Sequence, residues 1–245
     1  MTDSLTFVGR SLRHSVRSVD ALLTAILLPV SILLMFVYVF GGAIQSDGRY
    51  VDYVVPGIIV LCAGFGAAST AVAVAVDMTT GVIDRFRTLP IASSAVLTGH
   101  VTASVARNVV STSLVIGVAL IAGFRPEVDP ASWLAAAGLL LALMIAISWL
   151  AACFGLIAKS VEGANAITFV AAFAPYVSSA FVPAETMPGA LQWVAEYQPV
   201  TPIVDSLRAL TMGTPVGSEL LVALAWCAGG ALVGRIGAAY LFRRR

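Results

Sequence analysis

Residues 133–158 read WLAAAGLLLALMIAISWLAACFGLIA, without a single charged side chain. A helix of about 20 apolar residues is long enough to cross the roughly 30 Å of hydrocarbon in a bilayer, at about 1.5 Å per residue. The run is continuous and lacks the two-residue alternation of a membrane β-strand, so it predicts a transmembrane helix. This stretch therefore sets the predicted fold class, an all-α integral membrane protein.

Runs of the same kind recur along the 245 residues. They predict six transmembrane spans, at about 21–43, 55–76, 101–124, 133–158, 164–182 and 220–242. The composition agrees, because 59% of the residues are hydrophobic and 11% are charged, whereas a soluble domain carries roughly a quarter of charged residues. We expect residues 1–245 to form a single transmembrane domain.

The basic residues indicate which side of the membrane the termini occupy. With six spans both termini share one side, and that side holds all of the 14 Lys and Arg residues except Arg49, Arg125 and Arg208. Lys and Arg accumulate on the cytoplasmic side of membrane proteins. We therefore expect both termini in the cytoplasm.

The N-terminal residues 1–20 follow a helical period. Their apolar side chains, from Leu5 to Val19, fall within one arc, and Arg10, Arg13 and Arg17 lie opposite. This pattern is typical of an amphipathic helix lying in the membrane interface, with a merely basic tail as the alternative.

The segment 183–213, between the last two predicted spans, is too apolar for an ordinary loop. Trp193 and Tyr197 suit the depth of the membrane interface. We expect two short helices, at about 186–196 and 202–212, that cap the outer leaflet or partly re-enter it, packed on the bundle because irregular backbone there requires cover.

Two local features bear on helix packing. Pro29 lies inside the first predicted span and is expected to kink it. Gly230 and Gly234 stand at GxxxG spacing in the last span, which predicts a close helix contact, either within the bundle or in a dimer.

Few side chains suit catalysis or metal binding. The two histidines, His14 and His100, have no ligand cluster around them in the sequence, and His100 is expected to be solvated at the interface. Cys62, Cys153 and Cys227 all fall inside predicted spans, which argues against a disulfide framework. We therefore expect the chain to be no enzyme and to bind no metal or cofactor of its own.

No energy source is evident within the chain. Ion coupling usually requires acids inside the spans, whereas Asp77 closes the second span and Glu162 precedes the fifth. Arg107 and Arg235 are expected to extend towards the cytoplasmic face, with a pairing to one of those acids as the alternative. Residues 155–160 lack the second glycine of a P-loop. If ATP drives transport, another polypeptide hydrolyses it.

The charged segment between the second and third spans offers a surface for such a partner. Residues 81–91 read GVIDRFRTLPI. Their apolar side chains lie on one face of a short helix, about 80–91, which Pro90 ends. That face suits insertion into a groove of a soluble protein, and a helix lying on lipid is the alternative.

Over its whole length the sequence resembles the permease subunits of type-2 ATP-binding-cassette exporters, and especially the daunorubicin-resistance permease group. The resemblance rests on DMTTGVIDRFRTLPI at 77–91, AVLTG at 95–99, FVP and MP within 181–188, and YQPVTPIVDSLR at 197–208. Many members of the group carry a glutamate near the start of the coupling region, where this chain has Asp77 or a threonine.

In that family the segment corresponding to 81–91 is the coupling helix that contacts the ATPase. The resemblance thus implies coupling roles for Gly81, Ile83, Asp84, Arg85, Phe86, Arg87, Leu89 and Pro90. Phe86 and Leu89 would be the apolar anchors. It also implies a substrate path along spans 1, 2 and 5, with the polar candidates Ser69, Thr70, Asn165, Thr168, Ser178 and Ser179. Each candidate is equally compatible with an ordinary interhelical hydrogen bond.

The resemblance further implies an exporter of a hydrophobic drug, polyketide or lipid in a bacterial cytoplasmic membrane. The partners would be a P-loop subunit holding ATP and magnesium, a second permease chain (identical or a sister), and membrane lipid, with no nucleic acid. Two alternatives stay open. One is an ion-coupled transporter or channel without an ATPase partner, and the other is a membrane scaffold without transport.

Overall fold

The computed structural model describes residues 19–41, 49–80, 93–126, 128–158 and 160–244. Every regular element in these ranges is a helix. The predicted interfacial helix over 1–20 and the predicted coupling helix over 80–91 fall almost entirely outside the described residues, so both stay predictions.

Eight α-helices follow one another within the described ranges. They are α1 (Val19–Leu34), α2 (Tyr50–Thr79), α3 (Ser93–Ile121), α4 (Pro130–Ile157), α5 (Val161–Ala172), α6 (Gly189–Tyr197), α7 (Val200–Met212) and α8 (Glu219–Arg244). A π-helix, Met35–Phe40, continues α1, and short 3-10 helices lie at Ala174–Val177 and Ala184–Thr186.

Four of these helices, α2, α3, α4 and α8, are long and apolar enough to cross a membrane. The first and fifth predicted spans correspond to shorter apolar helices, at Ile26–Phe40 and Val161–Val177. The all-helical class is thus confirmed for the described ranges, while the count of six spans stays a prediction. The two short helices expected between the last spans are present as α6 and α7.

The fifth predicted span departs from a continuous helix well before residue 182. α5 ends at Ala172, and Pro175 lies in the following 3-10 helix. Proline has no N–H with which to continue the α-helical ladder. The Ser178 hydroxyl donates to the Pro175 carbonyl at 2.6 Å and accepts from the Ala180 N–H at 3.1 Å, so side-chain bonds replace helical ones there.

The helix α2 is at the centre of the bundle. It packs against α1, α3, α4, α5 and α7. Val54, Ile58 and Leu61 on α2 have no exposed surface. In contrast, α8 packs chiefly on α4 and leaves large apolar side chains such as Leu221 and Ile236 exposed. Those exposed side chains suit contact with lipid.

The predicted GxxxG contact lies within the bundle, between α8 and α4. A Cβ atom added to Gly234 would lie 2.7 Å from the backbone nitrogen of Leu150 and 2.7 Å from the carbonyl carbon of Trp149. One turn earlier, Gly230 leaves more room, because its Cβ would meet the Leu150 side chain at 3.5 Å. The backbones of α4 and α8 therefore touch at Gly234.

We expect Gly234→Ala to destabilise the bundle by about 1–3 kcal/mol, because overpacking against backbone atoms forces the two helices apart. The matched control is Gly229→Ala on the same helix, where an added Cβ meets nothing within 4 Å. Thermal unfolding of the purified variants in detergent measures both. Equal stability of the two variants would contradict the α4–α8 contact.

Candidate functional site

The predicted coupling residues, Gly81, Ile83, Asp84, Arg85, Phe86, Arg87, Leu89 and Pro90, all lie outside the described residues. The structure describes the two helices that flank them. α2 ends at Thr79 and α3 begins at Ser93.

A hydrogen bond joins these two flanking helices. Asp77 lies in the last turn of α2 and His100 two turns into α3, and the Oδ2 atom of Asp77 is 2.9 Å from the Nε2 atom of His100. Both side chains are about one-fifth exposed. Sequence reasoning placed Asp77 at a span end and His100 in solvent without joining them. The sequence does contain one indication of this contact, because both residues border the same short charged segment.

Arg107 turns into the bundle instead of extending to water. It is the middle residue of α3, and its Nη2 atom donates to the Ser69 and Thr70 hydroxyls of α2, at 3.3 and 3.2 Å. The expectation that Arg107 extends outward is therefore wrong. α3 begins well before the predicted span, so Arg107 is farther from the helix end, and the α2 hydroxyls supply nearer acceptors.

The neighbouring residue on α3 is also polar and lies deep in the bundle. Asn108 has no exposed surface, and neither its amide nitrogen nor its amide oxygen has a hydrogen-bond partner among the described residues. It packs on α2 at Gly66, where an added Cβ would overlap the Asn108 oxygen. Nearby on α3, Ser104 accepts a hydrogen bond at 2.9 Å from Ser148 of α4. The buried face of α3 is thus polar over several turns.

A second polar group holds the non-helical segment that follows α5. We call Tyr53, Ser179, Asp205 and Arg208 the Arg208 clasp. Arg208 of α7 donates to the Asp205 carboxylate at 2.6 Å and to the Ser179 carbonyl at 2.8 Å. Its guanidinium carbon lies 3.8 Å from the centre of the Tyr53 ring, within the range of a cation–π contact. The Ser179 hydroxyl also donates to Asp205, at 2.7 Å.

Further side chains bond to backbone carbonyls of the same segment. The Tyr53 and Tyr50 hydroxyls of α2 donate to the carbonyls of Ser179 and Phe181, each at 2.9 Å. The Gln198 amide donates to the carbonyl of Val177 at 2.6 Å. Residues 178–181 are buried, and buried carbonyls outside a helix need such partners.

The structure separates the six predicted substrate-path residues into groups. Ser69 and Thr70 contact Arg107, and Ser179 belongs to the Arg208 clasp. The remaining three belong to neither group. Ser178 bonds to Pro175, Thr168 bonds to the α5 backbone at Ala164, and the Asn165 side chain is exposed. The six candidates line no common cavity among those described.

An open cleft of about 640 Å³ lies beside the Arg208 clasp. It is lined by aromatic and acidic side chains from α2, α6, α7, α8 and the intervening segments, including Tyr53, Tyr197, Trp226, Glu196 and Glu219. Sequence reasoning did not anticipate it, because its walls come from distant parts of the chain.

Among the described residues no group of His, Cys, Asp and Glu side chains is arranged to hold a metal ion. The polar contacts of this part of the chain join helices to one another.

Comparison with known proteins agrees with the resemblance drawn from the coupling and outer segments. Residues 3–212 match the family model described as ABC-2 type transporter. The chain is 31% identical over 221 residues to a daunorubicin resistance ABC transporter permease protein of Streptomyces coeruleorubidus, covering 85% of this chain and 77% of that protein.

A second relative is a probable doxorubicin resistance ABC transporter permease protein of Mycobacterium tuberculosis (strain H37Rv). It is 25% identical over 251 aligned positions that cover 100% of this chain and 89% of that protein. The family match extends over most of the chain, including the segment between α2 and α3. The chain therefore belongs to the ABC-2 type transporter family and is homologous to permeases of daunorubicin and doxorubicin resistance.

Proposed function

We propose that this chain is the permease subunit of an ATP-binding-cassette exporter that moves a hydrophobic drug, polyketide or lipid across a bacterial cytoplasmic membrane. The family match and the drug-resistance roles named for the relatives support the proposal. ATP and magnesium bind to a separate P-loop subunit, and a second permease chain, identical or a sister, completes the membrane portion. Lipid surrounds both permeases, and nucleic acid has no part in the complex.

The proposed topology has six spans with both termini in the cytoplasm and the helix over 1–20 in the interface. Four long apolar helices support it, together with two shorter apolar helices at the places of the first and fifth predicted spans. The distribution of Lys and Arg supports the orientation. In this topology α6, α7 and the Arg208 clasp lie on the outer side.

The observation that carries the proposal is the string DRFRTLP at 84–90, within the family match and between two membrane-length helices. Its apolar anchors, Phe86 and Leu89, would enter a groove of the ATPase subunit. The polar residues Asp84, Arg85 and Arg87 would set its register. Gly81 and Ile83 would lead into the helix and Pro90 would end it.

The hydrogen bond between Asp77 and His100 suggests how movement passes from the ATPase to the bundle. It joins α2 to α3 at 2.9 Å, on either side of the coupling segment. A displacement of that segment would then move both helices together. Because α2 contacts five other helices, the displacement would spread through the bundle and open the substrate path between the two permeases.

Phe86→Asp combined with Leu89→Asp is expected to abolish co-purification with the P-loop subunit and to reduce drug efflux to the level of a strain lacking the permease. Two carboxylates cannot enter an apolar groove without a large desolvation penalty. The control is Thr88→Asp, which adds a charge to the polar part of the same segment. Pull-down and efflux from whole cells measure the result.

Two results would favour the alternative functions, a scaffold or an ion-coupled transporter. Unchanged ATPase association and unchanged efflux in the double variant would refute the coupling role and favour a scaffold. An ion-coupled transporter or channel would instead show efflux that collapses with a protonophore while ATP is held constant in proteoliposomes.

Asp77→Asn and His100→Gln are each expected to leave ATPase association intact and to lower the amount exported per ATP several-fold, because the link between α2 and α3 is lost. Since the two residues act through one contact, the double variant should be no worse than either single variant. Glu162→Gln, a change at an exposed acid of α5, is the control. Transport and ATP hydrolysis measured in the same proteoliposomes test this, and additive losses would contradict a shared contact.

A further inference from the structure

The open cleft beside the Arg208 clasp has the size of a ligand-binding site. Its volume of about 640 Å³ is within the roughly 300–1,000 Å³ of pockets that hold drug-sized molecules. Its walls come from α2, α6, α7 and α8 and from the 3-10 helix at Ala184–Thr186. The Arg208 clasp joins α2 to α7, and α7 packs on α8, so the fold itself holds these walls together.

The cleft carries an excess of negative charge. Four carboxylates line it, and the guanidinium of Arg208 is the only basic group among the lining residues. Arg208 already pairs with Asp205 at 2.6 Å. The carboxylates of Glu185, Glu196 and Glu219 therefore have no basic counterpart in the lining. A cleft lined by one sign of charge concentrates ions of the opposite sign.

Aromatic rings line the same space. Arg208 lies over the Tyr53 ring, with its guanidinium carbon 3.8 Å from the ring centre, so one face of Tyr53 is already covered. Tyr197 and Trp226, in contrast, are 68% and 49% exposed. The face of an aromatic ring attracts a cation, most strongly in tryptophan, and aromatic rings recognise quaternary ammonium groups in this way. The charge and the rings together favour a cation with an apolar or aromatic body.

Two other kinds of cationic ligand fit the cleft less well. A metal ion needs several ligands close together, and among the described residues no group of His, Cys, Asp and Glu is arranged to hold one. A zwitterionic lipid headgroup brings a phosphate beside its ammonium group, and the carboxylates of the lining would repel that phosphate. The lining thus favours a solute that carries positive charge alone.

We propose that this cleft binds an organic cation, a solute with a protonated amine, quaternary ammonium or phosphonium group on an aromatic or apolar body. Glu185, Glu196 and Glu219 attract its charge, and Tyr197 and Trp226 contact its body. Binding here does not depend on the proposed export. In the proposed topology the cleft opens on the outer side of the membrane.

Binding of radiolabelled tetraphenylphosphonium to the full chain in phosphatidylcholine nanodiscs tests the site, with uptake by empty nanodiscs subtracted. Labelled triphenylphosphine oxide keeps three of the four phenyl rings and has no net charge. Glu185→Gln combined with Glu219→Gln is expected to weaken phosphonium binding about three- to tenfold, because two exposed charges each contribute a modest attraction, and to leave binding of the oxide within about twofold. The difference should shrink as salt is raised from about 0.05 to about 0.5 M.

The aromatic wall is tested separately. Trp226→Leu is expected to weaken phosphonium binding about two- to fivefold, as the loss of one exposed cation–π contact predicts, and Trp226→Phe should fall between. The controls are Glu162→Gln, an exposed acid of α5, and Trp133→Leu, a partly exposed tryptophan of α4, which both lie outside the lining. Both controls should bind the two probes like the original chain.

Thermal unfolding confirms that each variant is folded, as expected because every altered side chain is exposed. Unchanged phosphonium binding in the glutamate pair, or equal losses for the phosphonium and the oxide, would overturn the proposal. Displacement of the phosphonium by an equal concentration of glycerophosphocholine would identify a lipid headgroup as the ligand and overturn it as well. Phe86→Asp with Leu89→Asp should leave the phosphonium bound, so a failure of the proposed coupling is distinguished from a failure of this site.

Discussion

The fold depends on one constraint: within hydrocarbon, every backbone N–H and C=O must find a partner inside the protein. Long helices meet this requirement by themselves, as α2, α3, α4 and α8 do. After α5 the chain leaves the helix, and its carbonyls are bonded instead by Tyr50, Tyr53 and Arg208 from two other helices. Residues 178–181 are buried, so their backbone groups also need partners inside the protein, and the clasp supplies some of them. It fixes the segment between α5 and α6 to the centre of the bundle.

The helix α2 links the polar contacts described above. Near its start, Tyr53 belongs to the Arg208 clasp; near its middle, Thr70 meets Arg107; in its last turn, Asp77 meets His100. The rest of its buried surface is apolar and packs against five helices. A shift of α2 along its axis would therefore change all three contacts together. In the proposed exporter this helix carries movement from the coupling segment to the outer side.

Much of the fold is predictable from hydrophobicity, because each span is a local property of about 20 residues. The all-helical class, the short helices α6 and α7 and the close approach at Gly234 followed from local patterns. The polar contacts between helices did not follow from local patterns, since they depend on how each helix is rotated and where it begins. Arg107 illustrates this: a start of α3 at Ser93 moves it away from the helix end and towards Thr70. The early end of α5 likewise required knowing that Ser178 would replace helical bonds.

The central claim is that energy enters this permease at residues 81–91 from a separate ATPase. Photo-cross-linking from a benzoylphenylalanine placed at position 86, in membranes containing the complete transporter, tests it most directly. We expect one cross-linked product with the P-loop subunit, whose yield changes when ATP or a non-hydrolysable analogue is added. The same label at position 98, on the exposed side of α3, serves as the reference. Cross-links from position 86 to lipid alone, with or without nucleotide, would contradict the account.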